Sequence, residues 1–143
     1  MSSALERLKK LTTKISSYEA TRKTNLAKLK QLYNELEIYK KVSDFELIFN
    51  FKAINLSGIS LVRENFAQIK EGKYLQILAI QYDKNAIVKS KNISLGYFGR
   101  VEKVDTLLKD KIVEFVLRYR FEKSFLTLEH YNEMLEILDN NDK

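Results

Sequence analysis

From Ala4 onward, Ala4, Leu8, Leu11, Ile15, Tyr18, Arg22, Asn25, Leu29, Leu32, Leu36 and Tyr39 follow one another at alternating four- and three-residue steps. A repeat of 3.5 residues keeps one stripe of a helix turned toward a second helix, whereas the buried face of a globular helix drifts at 3.6. This seam predicts a coiled-coil helix that needs a partner. Whatever follows it must be read as what the coil carries.

Within the seam Arg22 and Asn25 occupy adjacent core positions. Polar seam residues cost stability and fix register and oligomer number, which favours a dimer. Leu8, Leu11, Ile15, Tyr18, Arg22, Asn25, Leu29, Leu32, Leu36 and Tyr39 are the expected dimerisation residues. In a parallel pair, Lys14 would meet Glu19 of the partner and Glu35 would meet Lys40, with no repulsive g–e′ pair along the coil, so self-association is permitted. Apolar Leu5, Leu26 and Tyr33 flank the seam and leave room for a homologous chain as partner, or for a third strand. A coil of this extent would be roughly 55–60 Å long. Its heptads begin almost at Met1, as they would in a segment of a longer coil.

The 143 residues suffice for this stalk, residues 1–43, and one head of about a hundred residues, 44–143, large enough for a single core. Charge divides along the same line. Residues 1–43 carry ten Lys or Arg against Glu6, Glu19, Glu35 and Glu37, which accounts for the whole net charge of +6, while the head is neutral. A neutral head argues against nucleic-acid reading by a charged face. The basic stalk leaves nucleic acid or a microtubule surface as an alternative partner, beside the plainer reading of a lysine-rich solvated coil face. No apolar run approaches the roughly 18 residues of a membrane span, and residues 1–20 lack the apolar core and cleavage site of a secretory signal. Without cysteine there is no disulfide or thiolate chemistry, which fits an intracellular address.

The period changes after Val42-Ser43-Asp44. Phe45, Leu47, Phe49, Phe51 and Ala53 alternate with polar residues and predict a strand over 45–55, closed by Ser57-Gly58. Residues 60–70 place Leu61, Val62, Asn65, Phe66 and Ile69 on one helical face, with Gly72 at a C-cap position; this predicts a helix, with a short strand as the alternative. Residues 73–82 read as a strand, turned through 83–85 into another from Ala86 to about Leu95. Gly96 and Gly99 bracket Tyr97-Phe98 and mark a loop whose aromatics either tuck under the sheet, the preferred reading, or are displayed. A helix from about Val101 to Arg120 and a second, capped by Ser124 or Thr127 and carrying Leu128, Tyr131, Met134, Leu135 and Leu138, close the chain. The expected fold class is α+β: a coiled-coil helix, then an antiparallel sheet covered on one face by two C-terminal helices.

Chemistry is sparse. His130 is the single histidine and stands in a predicted helix as a surface or packing residue, so no base is provided for a nucleophile. Glu129, Glu133 and Glu136 have the spacing of a solvated helix face, and the four glycines make no phosphate loop. No enzyme activity, cofactor or metal is expected. Arg118-Tyr119-Arg120-Phe121-Glu122-Lys123 mixes cations with aromatics as single-stranded nucleic-acid sites do. A helix end with cations at its C-terminal dipole accounts for the same residues and is preferred.

The junction Leu32-Tyr-Asn-Glu-Leu-Glu-Ile38 followed by Phe45-Glu-Leu-Ile-Phe-Asn-Phe51 resembles the passage from coil to first strand in the small subunits of the outer-kinetochore microtubule-binding complex. The ending, Leu108-Lys-Asp-Lys-Ile-Val-Glu-Phe115 and Phe121-Glu-Lys-Ser-Phe-Leu-Thr-Leu-Glu-His-Tyr-Asn132, is similar to the last helices of the yeast monopolin head. The head of the spindle-checkpoint coiled-coil protein that docks at kinetochores shares the plan. Residues 59–72 depart from its simplest version as an insertion. The resemblance implies an RWD-type head on a dimerising coil, a non-enzymatic adaptor for other kinetochore proteins in the nucleus, acting in chromosome segregation. On that reading Tyr97, Phe98 and Tyr119 are candidate partner-binding residues. A coiled-coil adaptor of another assembly, such as membrane traffic, has the same sequence features.

Overall fold

Ser3 starts the first helix: its hydroxyl accepts the backbone N–H of Glu6 at 3.1 Å, the arrangement of a Ser-x-x-Glu cap. In the computed structural model, which describes residues 3–82, 85 and 90–141 (9–17 by backbone alone), this helix, α1, spans Ala4–Glu35. Its 32 residues rise about 48 Å. It ends short of the predicted coil. Glu37 turns into the left-handed region at φ 58°, and Tyr39 falls in the tight turn Ile38–Lys40 rather than on a continuing seam.

Three strands follow, β1 (Ala53–Ser57), β2 (Tyr74–Tyr82) and β3 (Ser90–Arg100), paired antiparallel in the order β1-β2-β3. The expected meander is present, and β2 matches the strand read over 73–82. Several boundaries differ. Phe45–Asn50 is a 3₁₀ turn, not the start of a strand. Phe45 packs edge-on to Tyr33 at 5.5 Å, Phe49 stacks on Tyr119 at 5.7 Å, and Ile48 is buried; true alternation would send Ile48 to the opposite side from both rings. No helix forms over 60–70. Ile59 bridges Ile69, Ser60 exchanges backbone hydrogen bonds with Gln68 and Ala67, and one turn at Arg63–Asn65 caps the excursion. Gly58 permits the turn into it, at φ +96° with its α-carbon face against the Tyr74 carbonyl, where a Cβ would stand 2.8 Å away. The expected loop at 96–99 is the end of β3. Gly96 leaves room for the Phe98 ring, which lies 2.9 Å from where a Cβ would be. Residues 86–89 of the predicted third strand, and all of the 83–85 turn except Asn85, lie outside the described residues.

The two expected C-terminal helices are one, α2, Thr106–Asn141. Ser124 and Thr127 do not cap a second helix. Their hydroxyls donate back to the carbonyls of Phe121 at 2.6 Å and Lys123 at 3.0 Å, which keeps both residues inside a continuous helix. Glycine and proline, which would end it, are absent from 106–141. Only the first half of α2 covers the sheet, burying Ile112, Phe115, Val116 and Tyr119, whereas every residue from 127 to 141 is exposed.

The core joins these α2 residues to Ile54, Leu75, Ile77, Ala79 and Leu95 of the sheet, and also to Leu29, Leu32, Tyr33, Leu36, Ile38 and Val42. The hydrophobic core therefore runs across residue 43, where stalk and head were expected to part. The fold is α+β, with a three-stranded antiparallel sheet and a long C-terminal helix.

Candidate interaction surface

The seam of α1 meets a helix of its own chain. Glu35 with Lys111, Asn25 with Arg118, Arg22 with Glu122 and Tyr18 with Phe125 pair in descending order, so α1 and α2 run antiparallel. Asn25 is buried and its amide donates to the Arg118 carbonyl at 3.0 Å, while the Arg118 guanidinium returns a hydrogen bond to Asn25 Oδ1 at 3.0 Å. Arg118 is held in turn by Glu114 at 2.6 Å. Arg22 places Nε on the carboxylate of Glu122, which is 1% exposed, and Nη1 on Glu129 at the surface. The hydrogen bond to Glu129 and then that to Glu122 raise the Arg22 pKa, against the opposite pull of burial. Arg22 and Asn25 thus fix the register of α1 on α2.

The other seam residues divide by position. Leu29, Leu32 and Leu36 fill the core, and Tyr39 is exposed beside Tyr33. Tyr18 is half exposed with its ring 6.4 Å from Phe125, and Leu8 is exposed. The side chains of Leu11 and Ile15 lie outside the described residues. Of the three aromatics expected to bind partners, Tyr119 is corrected outright: it is 1% exposed, and its hydroxyl donates to the Phe51 carbonyl at 3.2 Å. Burial pushes its pKa up to about 12. Phe98 is half-buried against the core. Tyr97 is 60% exposed, its ring 5.8 Å from that of Tyr74 on the outer face of the sheet.

The basic and aromatic run at 118–123 is turned onto its own chain. Arg120 donates to the Ile54 carbonyl and to Asn55, and Lys123 donates to the Phe49 carbonyl at 2.6 Å. Burial lowers the Lys123 pKa. Since α2 continues past Lys123, these cations do not sit at a helix terminus; carbonyls from the segment before β1 and from β1 itself hold them.

Sequence reasoning missed an open apolar surface on the far half of α2. Leu128, Tyr131, Met134, Leu135 and Leu138 were expected to cover the sheet, and together with Ile137 they stand 50–60% exposed there. Leu5 and Leu8 are equally exposed near the start of α1. Beyond Tyr18 and Phe125 both helices project at the same end of the molecule, by roughly 20–25 Å. The signal was in the sequence: residues 127–141 keep a helical apolar repeat with no glycine or proline, well beyond what a three-stranded sheet spans.

Among the described residues no group of His, Cys, Asp and Glu is placed to hold a metal ion, and no helix is long and apolar enough to cross a membrane. His130 lies on the exposed part of α2 beside Tyr131. Compared with protein-family models, with curated proteins and with solved structures, the chain matches none.

Proposed function

We propose that the chain is a non-enzymatic adaptor, which associates through the projecting ends of α1 and α2 and presents a small head to partner proteins. The observation that carries this reading is the run of large apolar side chains from Leu128 to Leu138, each at least half exposed, on a helix whose first half packs one face into the core. A patch of this kind on a folded protein is an interaction site far more often than a neutral surface. The three-stranded meander followed by a long helix is compatible with a small head of the RWD type. The kinetochore assembly and the nucleus enter this reading through the sequence resemblance alone. Tyr97 and Tyr74, paired on the outer sheet face, are the head's candidate contact.

Affinity capture with the full chain, read by quantitative mass spectrometry, tests the proposal. Kinetochore subunits should be enriched, and replacing Tyr74 and Tyr97 with Ala should deplete some of them while leaving the unfolding midpoint unchanged. Enrichment of another assembly's subunits, with kinetochore proteins at background, would assign the adaptor elsewhere.

A further inference from the structure

The two projecting helices carry opposite charge. Between residues 4 and 20, α1 has Arg7, Lys9, Lys10 and Lys14 against Glu6 and Glu19, whereas between 127 and 141 α2 has Glu129, Glu133, Glu136 and Asp139 and no Lys or Arg. Among the described residues Glu133, Glu136 and Asp139 make no ion pair. The apolar arc on α2 is also broad. At about 100° per residue, Leu128, Leu135, Tyr131, Leu138, Met134 and Ile137 sweep roughly half the circumference, more than the stripe of about 100° that a helix turns toward one packed face. All six side chains stand exposed, so the chain itself leaves a full flank of this arc open.

We infer that this flank is covered by the same two helices of a second copy, joined by a two-fold axis running along the projection. In that arrangement each basic α1 lies between two acidic α2 helices, its own and the partner's, and every neighbouring pair is antiparallel and opposite in charge. The alternative, a parallel coil of α1 on α1, sets basic helix against basic helix. It also needs the seam from Arg22 to Leu36, which is already closed against the chain's own α2 and core. The inference rests on the reading of the projecting helices as the association element, and it names the occupant.

Sedimentation equilibrium on the full chain is the test. The wild type should run at twice 16.8 kDa at low micromolar concentration. A chain with Glu133→Lys, Glu136→Lys and Asp139→Lys should dimerise at least about tenfold more weakly, as should one with Arg7→Glu, Lys10→Glu and Lys14→Glu, and mixing the two should restore a dimer of one each. An acid-reversed chain that dimerises like wild type would overturn the inference in favour of an interface without α2. A wild-type monomer would overturn it too, yet would leave the adaptor reading to be judged by its captured partners. Because the chain has no cysteine, a nitroxide at Asn140→Cys, an exposed uncharged position outside the proposed charge pairs, gives an independent readout. Two labels in a dimer should couple within about 30 Å, the diagonal of a four-helix arrangement plus two linkers, and no coupling in a confirmed dimer would refute the geometry.

Discussion

Glu122 is an acid inside the protein, and the cation that answers it, Arg22, comes from a helix 100 residues earlier in the chain. Removing the cation alone strands a buried carboxylate. Arg22→Met should therefore cost about 2–4 kcal/mol, somewhat below the 3–5 of a fully buried pair because Arg22 is partly exposed. Adding Glu122→Leu should recover most of the loss, since an apolar pair of similar volume replaces the ion pair at little cost. Urea denaturation of both variants decides it; a double variant as unstable as the single one would show that packing, not charge, sets the penalty. Tyr119 makes a pH-dependent contribution. Its neutral form is favoured in the fold, so its stabilisation is complete below pH 10 and is lost as pH rises from 10 toward about 12. At pH 11 that loss is about 1.4 kcal/mol, one unit's worth of linkage. Tyr119→Phe should lose about 1 kcal/mol at pH 7 with its hydrogen bond, and should then decline less than wild type between pH 9 and 11. Parallel declines in the urea midpoint would count against the assignment.

At the scale of elements, what was legible followed from local chemistry. The seam that begins at Ala4 marks the start of α1, the strand-like run of Leu75, Ile77 and Ala79 marks β2, and the spacing of Ile112, Phe115, Val116 and Tyr119 marks the covering face of α2. Ambiguity arose where one set of residues satisfies two periods. Phe45 and Phe49 are four apart, which fits alternation and also fits one side of a helical turn, and only Tyr33 and Tyr119, distant in sequence, decide between them. Ser124 and Thr127 are equally ambiguous, because a hydroxyl that caps a new helix and one that bonds back within an old one are the same residue in sequence. Gly96 read as a loop breaker, yet its missing side chain is the space that Phe98 occupies. The heptad seam stated that α1 would be paired, and Arg22 and Asn25 that its register would be fixed. It did not state with what: a seam specifies a complementary helix, and α2 supplies one from the same chain.

For the molecule as a whole, the consequence is that helix and head fold together. A chain beginning at Asp44, the head as the sequence divides it, would lose Leu29, Leu32, Tyr33, Leu36, Ile38 and Val42 from the core. At about 1.5–3 kcal/mol for each buried side chain, the deficit is on the order of 10 kcal/mol, comparable with the whole stability of a typical domain of about 5–15. It would also leave Glu122 without Arg22. Residues 127–141 bury no side chain, so a chain ending at Leu126 removes the apolar surface of α2 while leaving the core intact. The first truncation should give no cooperative unfolding transition by circular dichroism. The second should unfold cooperatively at a midpoint independent of protein concentration, whereas the midpoint of the full chain, which associates through these residues, should rise with concentration. A chain of 44–143 that melted cooperatively would mean that the head is independent of α1, and the projecting helices would then be a stalk free to tilt. If it fails to fold, whatever the projecting ends of α1 and α2 bind is held at a fixed angle to the sheet, because both helices run out directly from the core that positions β1, β2 and β3.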